Sequence, residues 1–425
     1  MPKKTVQMLN FCFSLWVWAI PYGAMTLARS ANAAPLTLLE GFEAHRQSSE
    51  KLQSQRLSLQ MAKEATQIAQ PTLIPDLSAE AGYAENDDGV GGADRSSTAK
   101  AVLSKNILGL WKYGPASNAT HLAEQQETLT QKDLTKRAFS DFTGRFLDCL
   151  FLQRELEILA DQRKSLQDQI GVMRKRVRIG RNKQSDLLTF LSREKTFESL
   201  ETIKHNSHRI CLADLSRQTG LGKIEALAIP SIQPDQVLVK SEAEILASSP
   251  TLQIYDLQLK QNEELMRAND RTNWPDLTAF AEYYGHRDGT ASDDSKWGFG
   301  LKLTWAIYSG YREAGQQSIL TLQSRQVELL KTDAQKELQL KISSAQETLK
   351  GLQAKTRLLK ENFDLAKENR NTFRRDFNYG LVSNLDLLNS INLLIDAENL
   401  YLSSEKELQV AYWDLYAEQQ NWDTL

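Results

Sequence analysis

The segment Lys296-Trp297-Gly298-Phe299-Gly300-Leu301-Lys302-Leu303-Thr304-Trp305-Ala306-Ile307-Tyr308 decides how this chain is read. Trp297, Phe299, Leu301, Leu303, Trp305 and Ile307 are apolar, and the residues between them are small or polar. Successive side chains of a strand point to opposite faces, so this alternation predicts a strand with one apolar stripe about ten residues long. A soluble sandwich strand can alternate in the same way. Aromatic rings near both ends of the stripe favour instead a face that meets hydrocarbon, with the rings at its two water interfaces. Upstream, Asp276 to Gly285 predicts a partner strand, joined by the polar loop His286 to Ser295.

The same plan stands 200 positions earlier. Pro275-Asp276-Leu277-Thr278-Ala279 matches Pro75-Asp76-Leu77-Ser78-Ala79, and Leu303 and Ile307 match Leu103 and Ile107. Gly380 and Asp386-Leu387-Leu388 match Gly180 and Asp186-Leu187-Leu188. One offset held across more than a hundred residues means that a whole unit is duplicated. The first copy therefore predicts strands over Asp76 to Tyr83 and Ser97 to Leu108, around the loop Glu85 to Ser96. Its apolar stripe is weaker, with Lys105 standing where the second copy has Trp305.

Helices fill the rest. Leu36 to Gln70 and Thr251 to Asn273 read as amphipathic helices stopped by Pro71 and Pro275. Long helices are expected from about Ala116 to Val177 and from Arg312 to Phe377. In the second, Leu338, Ile342, Ala345, Leu349, Leu352, Thr356, Leu359, Phe363, Ala366, Arg370, Phe373 and Phe377 step alternately by four and three. A sustained seven-residue repeat makes helices wind left-handedly around neighbours. At 1.5 Å per residue that helix is roughly 100 Å long, so the molecule must be elongated. The first long helix carries a matching seam at Leu152, Leu156, Leu159, Arg163, Leu166, Ile170, Met173 and Val177. Gly180 and Gly380 break the helices, and Ser185 is placed to cap a return helix reaching Gly220. The expected organisation is a signal peptide over 1–33, a first repeat over 34–222, a connector over 223–236 and a second repeat over 237–425.

The leader assignment rests on Lys3 and Lys4, the mostly apolar run Leu9 to Ile20 and the cleavage-type Ala31-Asn32-Ala33. That run is too short to cross a bilayer, and Cys12 lies too early in it to be a lipid-anchored cysteine. The 425 residues carry a net charge of −3, so no basic face marks nucleic acid as a partner. Mean hydropathy is −0.45. Cys149 and Cys211 lie 31 positions either side of Gly180, at one height of a hairpin turning there. They are either a disulfide, as an exported protein permits, or two buried thiols on a helix seam. His205 and His208, with Cys211 three residues further, are the only metal-like spacing, and solvated helix positions explain them as well. With no phosphate loop or nucleophile elbow, neither enzyme chemistry nor a cofactor is expected.

Four strands cannot close a membrane barrel, the smallest of which have about eight. An open sheet would leave unpaired backbone in lipid, so several chains must share one barrel. In these features the chain resembles the TolC-like outer-membrane efflux proteins over essentially its whole mature length. The resemblance rests on the two proline-led strands and on the two glycine turns followed six residues later by Asp-Leu-Leu.

That resemblance implies a mainly α fold with a small β part. It implies a homotrimer with a twelve-stranded β-barrel in outer-membrane lipid above a periplasmic α-helical tunnel. It also implies an exit duct coupled to a periplasmic adaptor protein and to an inner-membrane pump or secretion ATPase. Adaptor contact falls on the turn Tyr379-Gly380-Leu381-Val382-Ser383 and on its counterpart at Ile179 and Gly180, which departs from the pattern at Arg181-Asn182-Lys183. Either glycine is equally explained as a helix C-cap. Asp386 aligns with an aspartate ringing the closed tunnel entrance, while Asn389 replaces the second acid. Asp386 can equally be a helix N-terminal charge, a role that suits Asp186 better. A periplasmic adaptor would not duplicate strands and turns together, and a structural coiled-coil protein would lack the paired amphipathic strands.

Overall fold

A computed structural model describes residues 35–71, 74–86, 94–228, 240–288, 293–308 and 310–419. The expected signal peptide and most of the expected connector, from residue 229 on, lie outside the described residues.

The chain opens with a short parallel bridge, Leu36 to Leu227, closed by Leu36 N–H to Ala226 O at 3.0 Å. Helix α1 (Leu38–Ser48) starts at a capping box in which Thr37 and Glu40 bond each other's backbone. One helix was expected over Leu36 to Gln70, but the chain bends at Ser49 (φ −66°, ψ 114°) before α2 (Glu50–Ala69). The bend is held by tertiary contacts: His45 Nδ1 and Ser48 Oγ both reach Gln218 O, at 2.9 and 2.6 Å. Strands β1 (Asp76–Asn86) and β2 (Asp94–Asn106) follow, then the short α3 (Gly109–Lys112). Helix α4 (Gly114–Arg178) runs 65 residues with Pro115 in its first turn, and α5 (Gln184–Thr219) returns alongside it.

The second half has the same order. Helices α6 (Glu242–Ser248) and α7 (Pro250–Asp270) meet at Ser249 (φ −64°, ψ 118°), the counterpart of Ser49. Here Pro250 forces the bend, because the residue before proline is driven out of the helical region. Strands β3 (Asp276–Asp288) and β4 (Asp293–Thr304) precede α8 (Arg312–Tyr379, 68 residues) and α9 (Asn384–Gln419). The last strand was expected to run to Tyr308 but ends at Thr304, so Trp305 and Ile307 lie just beyond it. Among the described residues no helix is long and apolar enough to cross a membrane.

The heptad seam of α8 faces its neighbours throughout. Ile342, Ala366 and Phe377 are buried, the other nine seam residues are half-buried, and most residues between them are exposed. Arg163, the misfit in the α4 seam, is held by Glu201 Oε2 at 2.6 Å. Two apolar clusters hold the helices together. One, near the sequence-distant ends of the bundle, gathers Phe42, Phe139, Phe142, Phe146, Leu215 and Trp413, with Phe42 edge-on to Phe139 at 4.9 Å. The other, toward the hairpin turns, gathers Leu166, Met173, Phe190, Phe377 and Leu387. Cys149 and Cys211 form a disulfide with Cα atoms 5.6 Å apart, which joins α4 to α5.

Two stability outcomes follow from this packing. Truncating the fully buried Phe146 to Ala removes a ring from the first cluster and is expected to cost about 3–5 kcal/mol, read as a fall in the thermal midpoint. The Cys149→Ser, Cys211→Ser double variant opens a loop spanning 62 positions and is expected to lose about 2–4 kcal/mol. An unchanged midpoint would show that the bundle needs no staple.

Candidate functional site

The four strands form one antiparallel sheet in the order β1-β2-β3-β4, so β1 and β4 are its free edges. Asp76 pairs with Ser104, Asn106 with Thr278 and Asp276 with Thr304. The two numbers in each pair sum to an even number, so odd-numbered residues of all four strands share one face. Among residues 76–83, 98–105, 276–283 and 296–304, that face carries Leu77, Tyr83, Leu103, Leu277, Tyr283, Trp297, Phe299, Leu301 and Leu303 among alanines, and Lys105 is its one charge. Trp297 is 76% exposed, and Ile307, past the strand end, is 78% exposed. Trp297 and Phe299 stack with ring centroids 6.0 Å apart. The opposite face is polar: Lys100 pairs with Glu282 at 2.9 Å. It is also crowded, since a Cβ on Gly300 would come within 3.0 Å of the Phe280 ring. An apolar face this large, left bare on a single chain, marks an interaction surface.

The two halves of the sheet are locked where β2 meets β3. Asp276 accepts hydrogen bonds from Asn106 Nδ2 and Lys112 Nζ, each at 2.7 Å, and Lys112 also donates to Trp274 O at 3.0 Å. Trp305 Nε1 donates to Asn273 O at 2.9 Å, so its ring is anchored where the sheet meets the helices. The sequence reading missed this cluster. The signal for it was the recurrence of Asp76 as Asp276 and of Lys112 as Arg312.

At the other end both long hairpins turn in the same way. Gly180 and Gly380 adopt φ of +72° and +76°, the left-handed region that glycine enters without steric cost. Gly180 N–H bonds Val177 O and Arg181 N–H bonds Arg176 O, while Gly380 and Leu381 repeat the pattern onto Phe377 and Asp376. Both glycines are thus C-caps of the paired-bond type, whatever else they do. Ile179, Tyr379 and Leu381 project as exposed apolar side chains beside them, and Val382 turns inward against the second cluster.

The return helices begin differently. Ser383 caps α9: its Oγ accepts from Asp386 N–H at 3.2 Å, and the Asp386 carboxylate accepts from Ser383 N–H at 3.0 Å and from its hydroxyl at 2.6 Å. In α5 the cap position is Lys183, which has no acceptor, and Ser185 sits inside the first turn rather than capping it. Asp186 and Asp386 both stand as charges in the first turn of their helices, and Asp386 in addition bonds the cap residue. Asp186 accepts from Asn384 Nδ2 at 2.5 Å, across to the other hairpin. The hydrogen bonds from the Ser383 hydroxyl and backbone hold the Asp386 carboxyl below the ordinary aspartate range. Asp386 and Asn389 are both exposed, one turn apart on α9.

Arg176, which sequence reasoning also passed over, ties the hairpins together. Its guanidinium lies 4.1 Å from the Phe377 ring centroid and donates to Phe377 O at 2.9 Å and Asn378 O at 3.3 Å. A cation at the last carbonyls of α8 is also favoured by the helix dipole.

The remaining candidates do not gather into a site. Cys211 is consumed by the disulfide, so it is not available beside His208. Burial pushes His208 down, helped by His205. Among the described residues no group of three or more His, Cys, Asp or Glu is arranged to hold a metal ion.

No family model and no curated relative matches the sequence. Solved structures do match the fold. CusC, described in terms of transmembrane channel formation, superposes with a TM-score of 0.79 at 15% identity, covering 92% of this chain and 95% of its own. The outer membrane protein VceC of Vibrio cholerae gives 0.76 at 13% identity, covering 91% and 97%. The MtrE outer membrane channel of Neisseria gonorrhoeae, in its open state, gives 0.75 at 14%, covering 90% and 88%. The fold is that of the TolC-like outer-membrane channels. In that fold the four-stranded sheet and the paired hairpin turns stand at opposite ends of the long helices.

The tip contacts have measurable consequences. Arg176→Ala removes a cation–π contact and two charge-assisted hydrogen bonds, together worth about 1–3 kcal/mol. Amide exchange over residues 377–386 should speed by roughly ten-fold or more, since about 1.4 kcal/mol corresponds to a factor of ten. The Asp386 cap depends on pH with a definite sign. Because its folded pKa is depressed, its contribution is complete above the ordinary aspartate value of 3.8 and is lost as pH falls below it. Protection of the first turn of α9 should therefore drop on acidification below about pH 4. Asp386→Asn should already lack the extra protection at neutral pH and show no such step.

Proposed function

We propose that this protein is the passive exit duct of an efflux or type I secretion system in the outer membrane. Three copies pool four strands each into a twelve-stranded barrel, and their helices bundle beneath it into a water-filled periplasmic tunnel. The carrying observation is the odd-numbered face of the sheet. It is apolar from Leu77 to Leu303, bordered by Tyr83, Tyr283, Trp297 and Trp305, and turned to the outside of the single chain. Exposing that face to lipid is favourable only if every strand edge is paired, which requires more strands than one chain has.

The duct reading gives the other end its role. The turns at Ile179-Gly180 and Tyr379-Gly380-Leu381-Val382-Ser383 are where a periplasmic adaptor would dock and link the duct to an inner-membrane pump or secretion ATPase. The exposed Ile179, Tyr379 and Leu381 supply apolar contact there. Asp386, repeated three times around the tunnel entrance, would favour cations and repel anions at the constriction. Cap and gate are compatible, because the carboxylate stays exposed and ionised while it bonds Ser383. The chain is then two repeats, 34–222 and 237–425, joined by 223–236, with residues 1–33 removed on export. No step of the function calls for a cofactor or catalysis.

The mature protein should sediment with outer membranes, migrate as a heat-sensitive trimer in mild detergent and conduct ions in planar bilayers. A water-soluble monomer without conductance would overturn the proposal. Leu301→Arg, at the middle of the apolar stripe, should cost about 2–4 kcal/mol of insertion and sharply reduce the membrane-embedded fraction. Lys302→Ala, on the opposite face, should leave insertion intact.

A further inference from the structure

The seam between β2 and β3 joins the end of the first half of the chain to the start of the second. Around a ring of such chains, the end of the second half must meet the start of the first half of the next copy. We infer that this intermolecular seam is a copy of the one inside the chain: β4 pairs antiparallel with β1 of a second copy, and Arg312 clamps Asp76 of that copy. The inference rests on the shared-barrel reading and adds to it a residue-level register and a charged clamp.

Three observations on the single chain carry it. First, the 200-position offset holds in strand pairing itself. Asp76↔Ser104, Leu77↔Leu103 and Tyr83↔Ser97 recur as Asp276↔Thr304, Leu277↔Leu303 and Tyr283↔Trp297. Applying the same offset to Ser104↔Phe280 and Asn106↔Thr278 places Thr304 opposite Glu80 and Ala306 opposite Ser78 of the neighbour. The bond from Ile107 N–H to Leu277 O, at 2.7 Å, becomes one from Ile307 to Leu77. In this register odd residues again meet odd residues, so the apolar face continues unbroken across the seam.

Second, the charged members of the internal clamp are duplicated while their partners are missing. Lys112 meets Asp276 at 2.7 Å inside the chain. Its counterpart Arg312 and the counterpart acid Asp76 are both exposed. Among the described residues neither has an ion pair or side-chain hydrogen bond. Third, both edges that would join, β1 and β4, are unpaired. The copy is not complete, since Asn106 is replaced by Ala306, and Tyr113, whose hydroxyl donates to Asp276 Oδ1 at 3.4 Å, is replaced by Glu313. Arginine's planar fork, able to grip a carboxylate through two N–H groups, suits a clamp with fewer auxiliary donors.

The test uses the full mature chain assembled in outer membranes. Thr304→Cys with Glu80→Cys should give covalent oligomers on oxidation, visible after heating in non-reducing gels. Thr304→Cys with Ser78→Cys, two residues out of register, should give less than a fifth of that yield. Asp76→Arg and Arg312→Asp should each lower the temperature at which the oligomer dissociates in detergent, and combining them should recover most of the loss. Preferential cross-linking of 304 to 78, or a double charge variant weaker than either single one, would overturn the seam. If amine cross-linking of the wild type shows an oligomer but 304 and 80 do not join, the seam alone is wrong. If the wild type is monomeric, the shared barrel fails and the seam falls with it.

Discussion

A backbone N–H or C=O placed in hydrocarbon without a partner costs several kcal/mol, and in the proposed duct the arrangement of the sheet depends on that constraint. The sheet satisfies its inner ladders by three antiparallel pairings but leaves two edges open. An apolar outer face and an open edge are incompatible in one membrane-embedded chain. In the proposed duct, sharing the barrel between copies would remove the conflict, and the polar face, with Lys100 against Glu282, would be free to line water.

The helical part answers a different demand. Helices of 65 and 68 residues make a long, thin unit, which cannot rely on one central core. Its packing is instead spread along the heptad seams of α4 and α8 and concentrated at two clusters far apart along the bundle. The Cys149–Cys211 disulfide staples the first hairpin alongside the cluster that contains Cys149, whereas the second hairpin has no such tie. At the tips, the second apolar cluster is joined by a few polar contacts: Arg176 on the α8 carbonyls, Asn384 on Asp186, and the Ser383–Asp386 cap. Such contacts are individually worth only about 1 kcal/mol, or somewhat more where charged.

The periodic features were legible in the sequence because their physics is local or strictly repeating. The twelve-residue seam of α8, the alternation from Trp297 to Ile307, the glycine turns and the 200-position offset all fall into this class. What escaped depends on neighbours distant in sequence. The bend at Ser49 has no proline and is held by Gln218, and the lock on Asp276 needs Lys112, which lies 164 positions away. Arg176 looked like one more basic residue at a helix end until Phe377 was placed beneath it. Ser185 satisfied the local statistics of a cap, yet the cap position lies two residues earlier, at Lys183.

By itself, the order of residues determined that the chain is long-helical and duplicated, with two amphipathic hairpins of strand that one copy cannot close. Period and composition act on every residue equally, so they survive without knowledge of contacts. Only the tertiary structure decided that Cys149 and Cys211 pair, that the Asp386 carboxylate caps its own helix while Asp186 reaches across to Asn384, and that odd-numbered residues of all four strands share a face. Each of those outcomes turns on a register or a rotation of a few ångströms between elements, which no local pattern encodes.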